Sequence, residues 1–201
     1  MKKRLYLMKH GQTLFNQLGR IQGWCDSPLT SLGREQALLA RHFFKDEGIK
    51  FDRYYSSSSE RCCETMQIAT GQTSFIRLKG LKDWNFGRME GQQECLFPNR
   101  NSIYESFDDF YLQFDGESEG QFRSRISRTI RSIIDELDNG ETALAITNTG
   151  VIIQLLKYLK LEQYLDHTFS HATIFEFIIG EEEYKLARIL DIENNVLTNR
   201  L

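Results

Sequence analysis

The stretch Leu5-Tyr6-Leu7-Met8-Lys9-His10-Gly11-Gln12-Thr13 decides how the chain is read. Four apolar residues run into a lysine, a histidine and a glycine. A short apolar run stopped by a turn signal predicts a buried strand. Residues just past such a strand lie at the carboxyl edge of the sheet, where open α/β folds place their ligands. His10 is therefore the first candidate nucleophile, with the cation Lys9 beside it.

The same layout returns late in the chain. The run Thr142–Thr147 ends in Asn148-Thr149-Gly150 and passes straight into the helical Val151-Ile152-Ile153. Between the two runs, Thr30 or Ser31 can cap a helix that Gly48 closes. Residues 51 to 55 predict a strand, and Ser57 with Glu60 fits a capping box for the helix that follows. Arg61 then falls in that helix's first turn, where a cation opposes the macrodipole. Taken alone it reads as a surface arginine; alternatively it holds an anion against the unpaired N–H groups. Residues 74 to 78 predict a third strand.

After a segment rich in glycine and aromatics, Ile103, Phe107, Phe110, Tyr111 and Phe114 recur at helical spacing, as a core-facing stripe or, second, a lid or a partner surface. The clearest helix carries Phe122, Ile126, Ile130, Ile133, Ile134 and Leu137 on one face, with Arg123, Arg125, Arg128 and Arg131 expected in solvent. Ile174–Ile179 and residues 186 to 190 predict an antiparallel edge pair around Gly180-Glu181-Glu182-Glu183. Strands alternating with helices predict a three-layer α/β/α sandwich on a mainly parallel sheet, as one domain over residues 1 to 201.

Composition narrows the function. The net charge is −3 over 201 residues, without the basic stripe that nucleic-acid binding requires. No run approaches a membrane span, and the apolar part after Lys2-Lys3-Arg4 is too short for a signal peptide. Cys25, Cys62, Cys63 and Cys95 form no Cys-x-x-Cys pair and fit free thiols in a reducing cytoplasm. Six positions beyond them stand Ser31, Ile68, Ala69 and Asn101, so the cysteine–arginine spacing of thiol phosphatases is absent. His42, His167 and His171 show no metal-ligand spacing, and no Gly-x4-Gly-Lys loop occurs, so neither metal nor cofactor is expected.

Three strand ends thus carry polar groups to one sheet edge: Lys9-His10, the serines with Arg61, and Asn148-Thr149. A histidine among cations suits a phosphorylated substrate, since imidazole can attack phosphorus and a nearby acid, Asp83 or Glu90, can protonate the leaving oxygen.

These blocks resemble the histidine phosphatase superfamily, also called phosphoglycerate mutase-like, over nearly the whole chain. Lys9-His10-Gly11-Gln12-Thr13 with Asn16 is similar to its nucleophile motif. Asp26-Ser27-Pro28-Leu29-Thr30 and Gly33-x-x-Gln36-Ala37 resemble the next block, and Ser56-Ser57 with Arg61 and Thr65 the one after. Leu81-Lys82-Asp83, Phe86-Gly87 and Glu90-Gly91 resemble its general-acid segment, and Gly116-Glu117-Ser118 also matches. The resemblance implies a phosphoglycerate mutase-like fold and a small phosphorylated substrate. It implies His10 as the phosphorylated nucleophile, Asp83 as proton donor, and Lys9, Asn16, Arg61, Asn148 and Thr149 around the phosphate.

The chain departs from the family at two places. Lys9 stands where an arginine is usual and keeps the charge without the bidentate fork. Asn148 stands where a second histidine is usual and can carry no charge. Losing one such donor costs about 3 kcal/mol, or about a hundredfold in rate. The sequence therefore supports a phosphomonoester hydrolase and, as the alternative, an impaired pseudophosphatase that binds a phosphorylated ligand or partner.

Overall fold

In the computed structural model the described residues are 2–98, 106–165, 169–180, 184–194 and 196–199. One seven-stranded sheet runs through them in the order β3-β2-β4-β1-β5-β6-β7. Its strands are β1 (Lys3–Lys9), β2 (Arg53–Ser57), β3 (Ile76–Leu78), β4 (Thr142–Thr147), β5 (Ile174–Ile179), β6 (Tyr184–Asp191) and β7 (Val196–Asn199). The first four pair in parallel, and β5, β6 and β7 continue the sheet antiparallel from β1. The parallel half is as expected. The antiparallel half is wider than the predicted edge pair, because β7 adds a strand outside β6.

Helices cover both faces. Alternate residues of β1 separate the two cores: Leu5 and Leu7 face one side, Tyr6 and Met8 the other. Helices α2 (Ser31–Asp46) and α3 (Glu60–Thr70) pack Ala40, Phe44, Cys62 and Met66 against Tyr6, Met8, Leu144 and Ile146. Helices α4 (Glu119–Glu136) and α5 (Thr149–Tyr158) pack Ile126, Ile130, Ile133, Val151 and Leu155 against Leu5, Leu7 and Ala145. This is the expected α/β/α sandwich. A further four-residue helix, α1 (Leu14–Gln17), interrupts the polar loop after β1.

Local chemistry explains most boundaries. The Thr30 hydroxyl accepts from Gly33 N at the start of α2, and Ser118 with Gln121 forms a capping box for α4. Gly71 closes α3 at φ 76°, a left-handed turn.

Three expectations fail for physical reasons. The box between Ser57 and Glu60 does not form, because Ser57 is the last residue of β2 and Ser59 is the cap. Asp26 replaces it from a distant loop, accepting from Glu60 N at 2.7 Å and Arg61 N at 3.4 Å. The described part of the aromatic stripe is a short 3-10 turn (Phe110–Phe114) rather than a long helix, and Ile103 lies outside the described residues. Phe107 and Tyr111 still face inward, edge-on to Phe86, with Phe107 also edge-on to Trp84. Finally, Arg125 is not solvated: its guanidinium pairs with Glu117 and donates to the carbonyls of Gly80, Lys82 and Asp83.

Candidate active site

The parallel half of the sheet sets the site. The carboxyl ends of β1 and β4 lie side by side, and His10 N donates to Thr147 O at 3.1 Å. Just beyond β1 the chain passes very close to the start of α2. A Cβ on Gly11 would lie 2.2 Å from Gly33 O, and one on Gly33 would lie 2.0 Å from Gln12 O. Only glycines permit that approach, which fixes the loop carrying His10. Thr65 ties it down from α3: Gly11 N donates to its hydroxyl, which donates in turn to Arg61 O.

His10 is buried, and its Nδ1 lies 2.8 Å from the carbonyl of Gly11. A carbonyl only accepts, so Nδ1 carries the proton and Nε2 keeps its lone pair. Burial and the Arg61 charge hold this imidazole well below its usual 6.5, against the opposing pull of the Gly11 hydrogen bond. The ring is therefore neutral near pH 7.

Arg61 is 1% exposed, so the surface reading fails. All five of its N–H groups have protein acceptors. Nε and one Nη2 hydrogen reach Asn148 Oδ1 at 3.0 and 2.7 Å. The other Nη2 hydrogen goes to Gly23 O, and the Nη1 pair goes to Cys25 O and Asp26 Oδ1, each at 2.9 Å. Asn148 Nδ2 donates to Leu81 O at 2.9 Å. Turning that amide over would set donor against donor at Arg61 and acceptor against acceptor at Leu81, so the network fixes its orientation. An asparagine at a helix start ordinarily caps it. Here the Asn148 side chain makes no cap bond and serves Arg61 instead.

Lys9 is the second cation. The residue is 9% exposed, and its ammonium donates to Phe169 O at 3.1 Å. Burial lowers its proton affinity from the usual 10.5 to about 8, while Asp83, Glu193 and Asp191 pull the other way.

Asp83 sits in the loop after Leu81. Its Oδ1 accepts from Trp84 N at 2.8 Å, and Oδ2 lies 3.5 Å from Gly150 N. A Cβ on Gly150 would lie 2.1 Å from Oδ1, so glycine is what admits the carboxylate to the start of α5. Burial raises the Asp83 carboxyl above its usual 3.8, against the hydrogen bonds and the Arg61 and Arg125 charges that favour the anion. Arg125 and Glu117 clamp the loop from behind, and Thr147 Oγ1 and Asn148 Nδ2 hold Leu81 O. Glu90, the other candidate acid, accepts from Gly23, Trp24, Cys25 and Phe86 N–H groups and organises the 23–25 loop.

Asn16 and Thr149 complete the predicted set. Asn16 forms a capping box with Thr13 at α1, its Oδ1 accepting from Thr13 N at 3.1 Å. Thr149 opens α5, half-buried.

Two neighbours escape the sequence reading. His171 lies beside His10 with ring centroids 6.2 Å apart, and its Nε2 is 3.2 Å from Asn16 Oδ1. Its signal was the antiparallel direction of β5. Ile174 pairs with Met8, so residues just before β5 share an edge with residues just after β1. Gln22 accepts from the Thr13 and Ser27 hydroxyls, and its buried Nε2 has no partner among the described residues. No spacing in the loop marks that glutamine. Among the described residues no group of three potential metal ligands occurs, and no helix is long and apolar enough to cross a membrane.

Residues 5–192 match the model of the histidine phosphatase superfamily (branch 1). The chain is 26% identical to a broad-specificity phosphatase of Saccharomyces cerevisiae, over 92% of this chain and 84% of that protein. It is 32% identical to a 2,3-bisphosphoglycerate-dependent phosphoglycerate mutase of Buchnera aphidicola, over 98% and 77%. The crystal structure of a phosphoglycerate mutase from Bacillus anthracis superposes with a TM-score of 0.80 at 27% identity, covering 92% of this chain and 91% of that one.

Proposed function

Since the chain belongs to the histidine phosphatase superfamily, we propose that it is a phosphomonoester hydrolase that works through a phosphohistidine at His10. Its substrate is a small phosphorylated molecule, met in a reducing cytoplasm where the four cysteines stay free. The observation that carries this reading is the His10 ring, buried, neutral and with Nδ1 committed to Gly11. Its remaining lone pair, on Nε2, is the nucleophile.

In the first step Nε2 forms a bond to phosphorus as the ester P–O bond breaks. The leaving alkoxide takes a proton from the Asp83 carboxyl, whose proton affinity burial raises. In the second step the Asp83 carboxylate accepts a proton from water as that water attacks phosphorus, and the P–N bond breaks. Inorganic phosphate leaves, with His10 neutral and Asp83 protonated again. Lys9 supplies a positive charge at the pocket, and Asn16 and Thr149 line it. Arg61 reaches a phosphoryl oxygen once one of its five contacts yields.

The test is hydrolysis of nitrophenyl phosphate and of alkyl phosphates. His10→Ala lowers both at least about a thousandfold, and wild type quenched in alkaline denaturant carries a phosphoryl group that acid then releases. Asp83→Asn slows alkyl esters about a hundredfold and the nitrophenyl ester much less, because nitrophenolate leaves without a proton. Hydrolysis that survives in His10→Ala ends this reading.

One observation favours a second reading, a pseudophosphatase that holds a phosphorylated ligand without turnover. Asn148 Oδ1 takes two of the Arg61 donors in the pocket as it stands. Absence of any hydrolysis, together with thermal protection by phosphate, selects it.

A further inference from the structure

The reaction above leaves His171 unused, although the chain builds it into the pocket wall. Lys9 donates to Phe169 O, two residues before it, and Ala172 N, one residue after it, lies 3.4 Å from His10 O. The segment 169–172 is therefore stitched to Lys9 and His10 on both sides of His171. The ring stands 6.2 Å from that of His10, the planes inclined at 52°. Its Nε2 meets Asn16 Oδ1 at 3.2 Å.

Resting on the phosphatase reading of the site, we propose that His171 is a proton-linked ligand of the phosphoryl group. In the empty pocket the ring is neutral; as a phosphate dianion seats beside His10, it takes up a proton from solvent and donates to a phosphoryl oxygen.

The hydrogen bonding supports this coupling. An amide oxygen only accepts, so Nε2 carries the proton of the neutral ring and Nδ1 is a bare lone pair. A bare lone pair repels an anion, whereas a protonated Nδ1 binds it. Burial and the Lys9 charge hold the free ring down to about 3, so it starts neutral. The charged and titratable groups around it are Lys9 and His10 at the end of β1, with Arg61 beyond His10. On the β6 side stand Asp191, bonded to Ser170, and Glu193, one of the carboxylates acting on Lys9. Each unit of negative charge at ~4 Å shifts a proton equilibrium by roughly a thousandfold at an effective dielectric of ~20. Two such units carry a proton affinity near 3 past neutrality.

The experiment is calorimetric titration of wild type and His171→Gln with inorganic phosphate at pH 6.5, in buffers of different ionisation enthalpy. Glutamine keeps a donor for Asn16 but cannot titrate. Lys9 is already protonated at this pH, so the difference between the two proteins isolates His171. Wild type is expected to take up more protons per phosphate than the variant and to bind about tenfold more tightly, with thermal unfolding in the absence of phosphate the same for both. Equal affinity and equal proton uptake overturn the inference. So does a variant already unfolding at lower temperature without phosphate and restored by His171→Asn, which points to a packing role. If wild type binds no phosphate this inference falls, and if it also hydrolyses no phosphomonoester the phosphatase reading falls with it. If wild-type hydrolysis depends on His10 while His171→Gln matches wild type in both titrations, this inference falls alone.

Discussion

Arg61 and Lys9 are the buried cations beside His10, and the fold treats them in opposite ways. Arg61 spends all five donors on protein acceptors and has a carboxylate partner in Asp26. Among the described residues the Lys9 ammonium makes one hydrogen bond, to a carbonyl, and its carboxylates act only at a distance. A guanidinium is planar, holds its proton and presents a fixed fork, so it can serve as the peg on which the 23–26 loop and the start of α5 hang. An ammonium is compact and can lose its proton when buried. The site thus combines a charge that organises the protein with a charge that the protein holds only loosely.

That contrast can be broken from either side. The largest effect is expected for Arg61→Met. It strands the carbonyls of Gly23 and Cys25, the Asn148 amide oxygen and the Asp26 carboxylate. Removing one member of a buried ionic network costs about 3–5 kcal/mol, read by urea denaturation. A loss below about 1 kcal/mol means Arg61 is not the peg.

Lys9→Met should act in the opposite direction, raising stability at pH 7 by on the order of 3 kcal/mol. The sign follows from linkage. The unfolded chain keeps the Lys9 proton up to the usual 10.5, the folded chain only up to about 8. Below pH 8 both states are protonated, and the folded state bears the full cost of the buried charge. Between pH 8 and 10.5 the unfolded state binds more protons, so wild-type stability rises relative to the variant and the gain from methionine disappears. A gain that does not change with pH over that window refutes the assignment to the ammonium.

The smallest effect sharpens the comparison. Asn148→Ala frees two Arg61 donors while leaving Asp26 and the two carbonyls in place. Phosphate affinity should rise roughly tenfold, about what one good hydrogen bond to a charged group provides, at some cost to stability without phosphate. Unchanged affinity in phosphate titration shows that the amide is not what holds Arg61 back.

The strands were legible in the sequence because buried runs and turn residues are local signals. Thr142–Thr147 and Ile174–Ile179 stand where their apolar runs end. His10, Arg61 and Asp83 were legible as candidates because each follows such a run or sits in a recognisable block. The way Arg61 is held was not. Its acceptors come from residues 23, 25, 26 and 148, which no local pattern associates with it. The same holds for Asp26 capping α3 and for Arg125 clamping residues 80–83.

By itself, then, the sequence determined the alternation of strands and helices, the family, and the residues brought to the carboxyl edge of the parallel strands. Periodicity and turn chemistry act over a few residues, so one chain suffices to read them. Only the tertiary structure decided which of those polar groups are already committed to the protein and which remain for a ligand. It committed Arg61 and Asn148 to each other, closed Glu90 into a loop, and set His171 beside His10 by reversing β5 against β1. Hydrogen-bond valence is settled in space, by whatever acceptors the folded chain brings within reach.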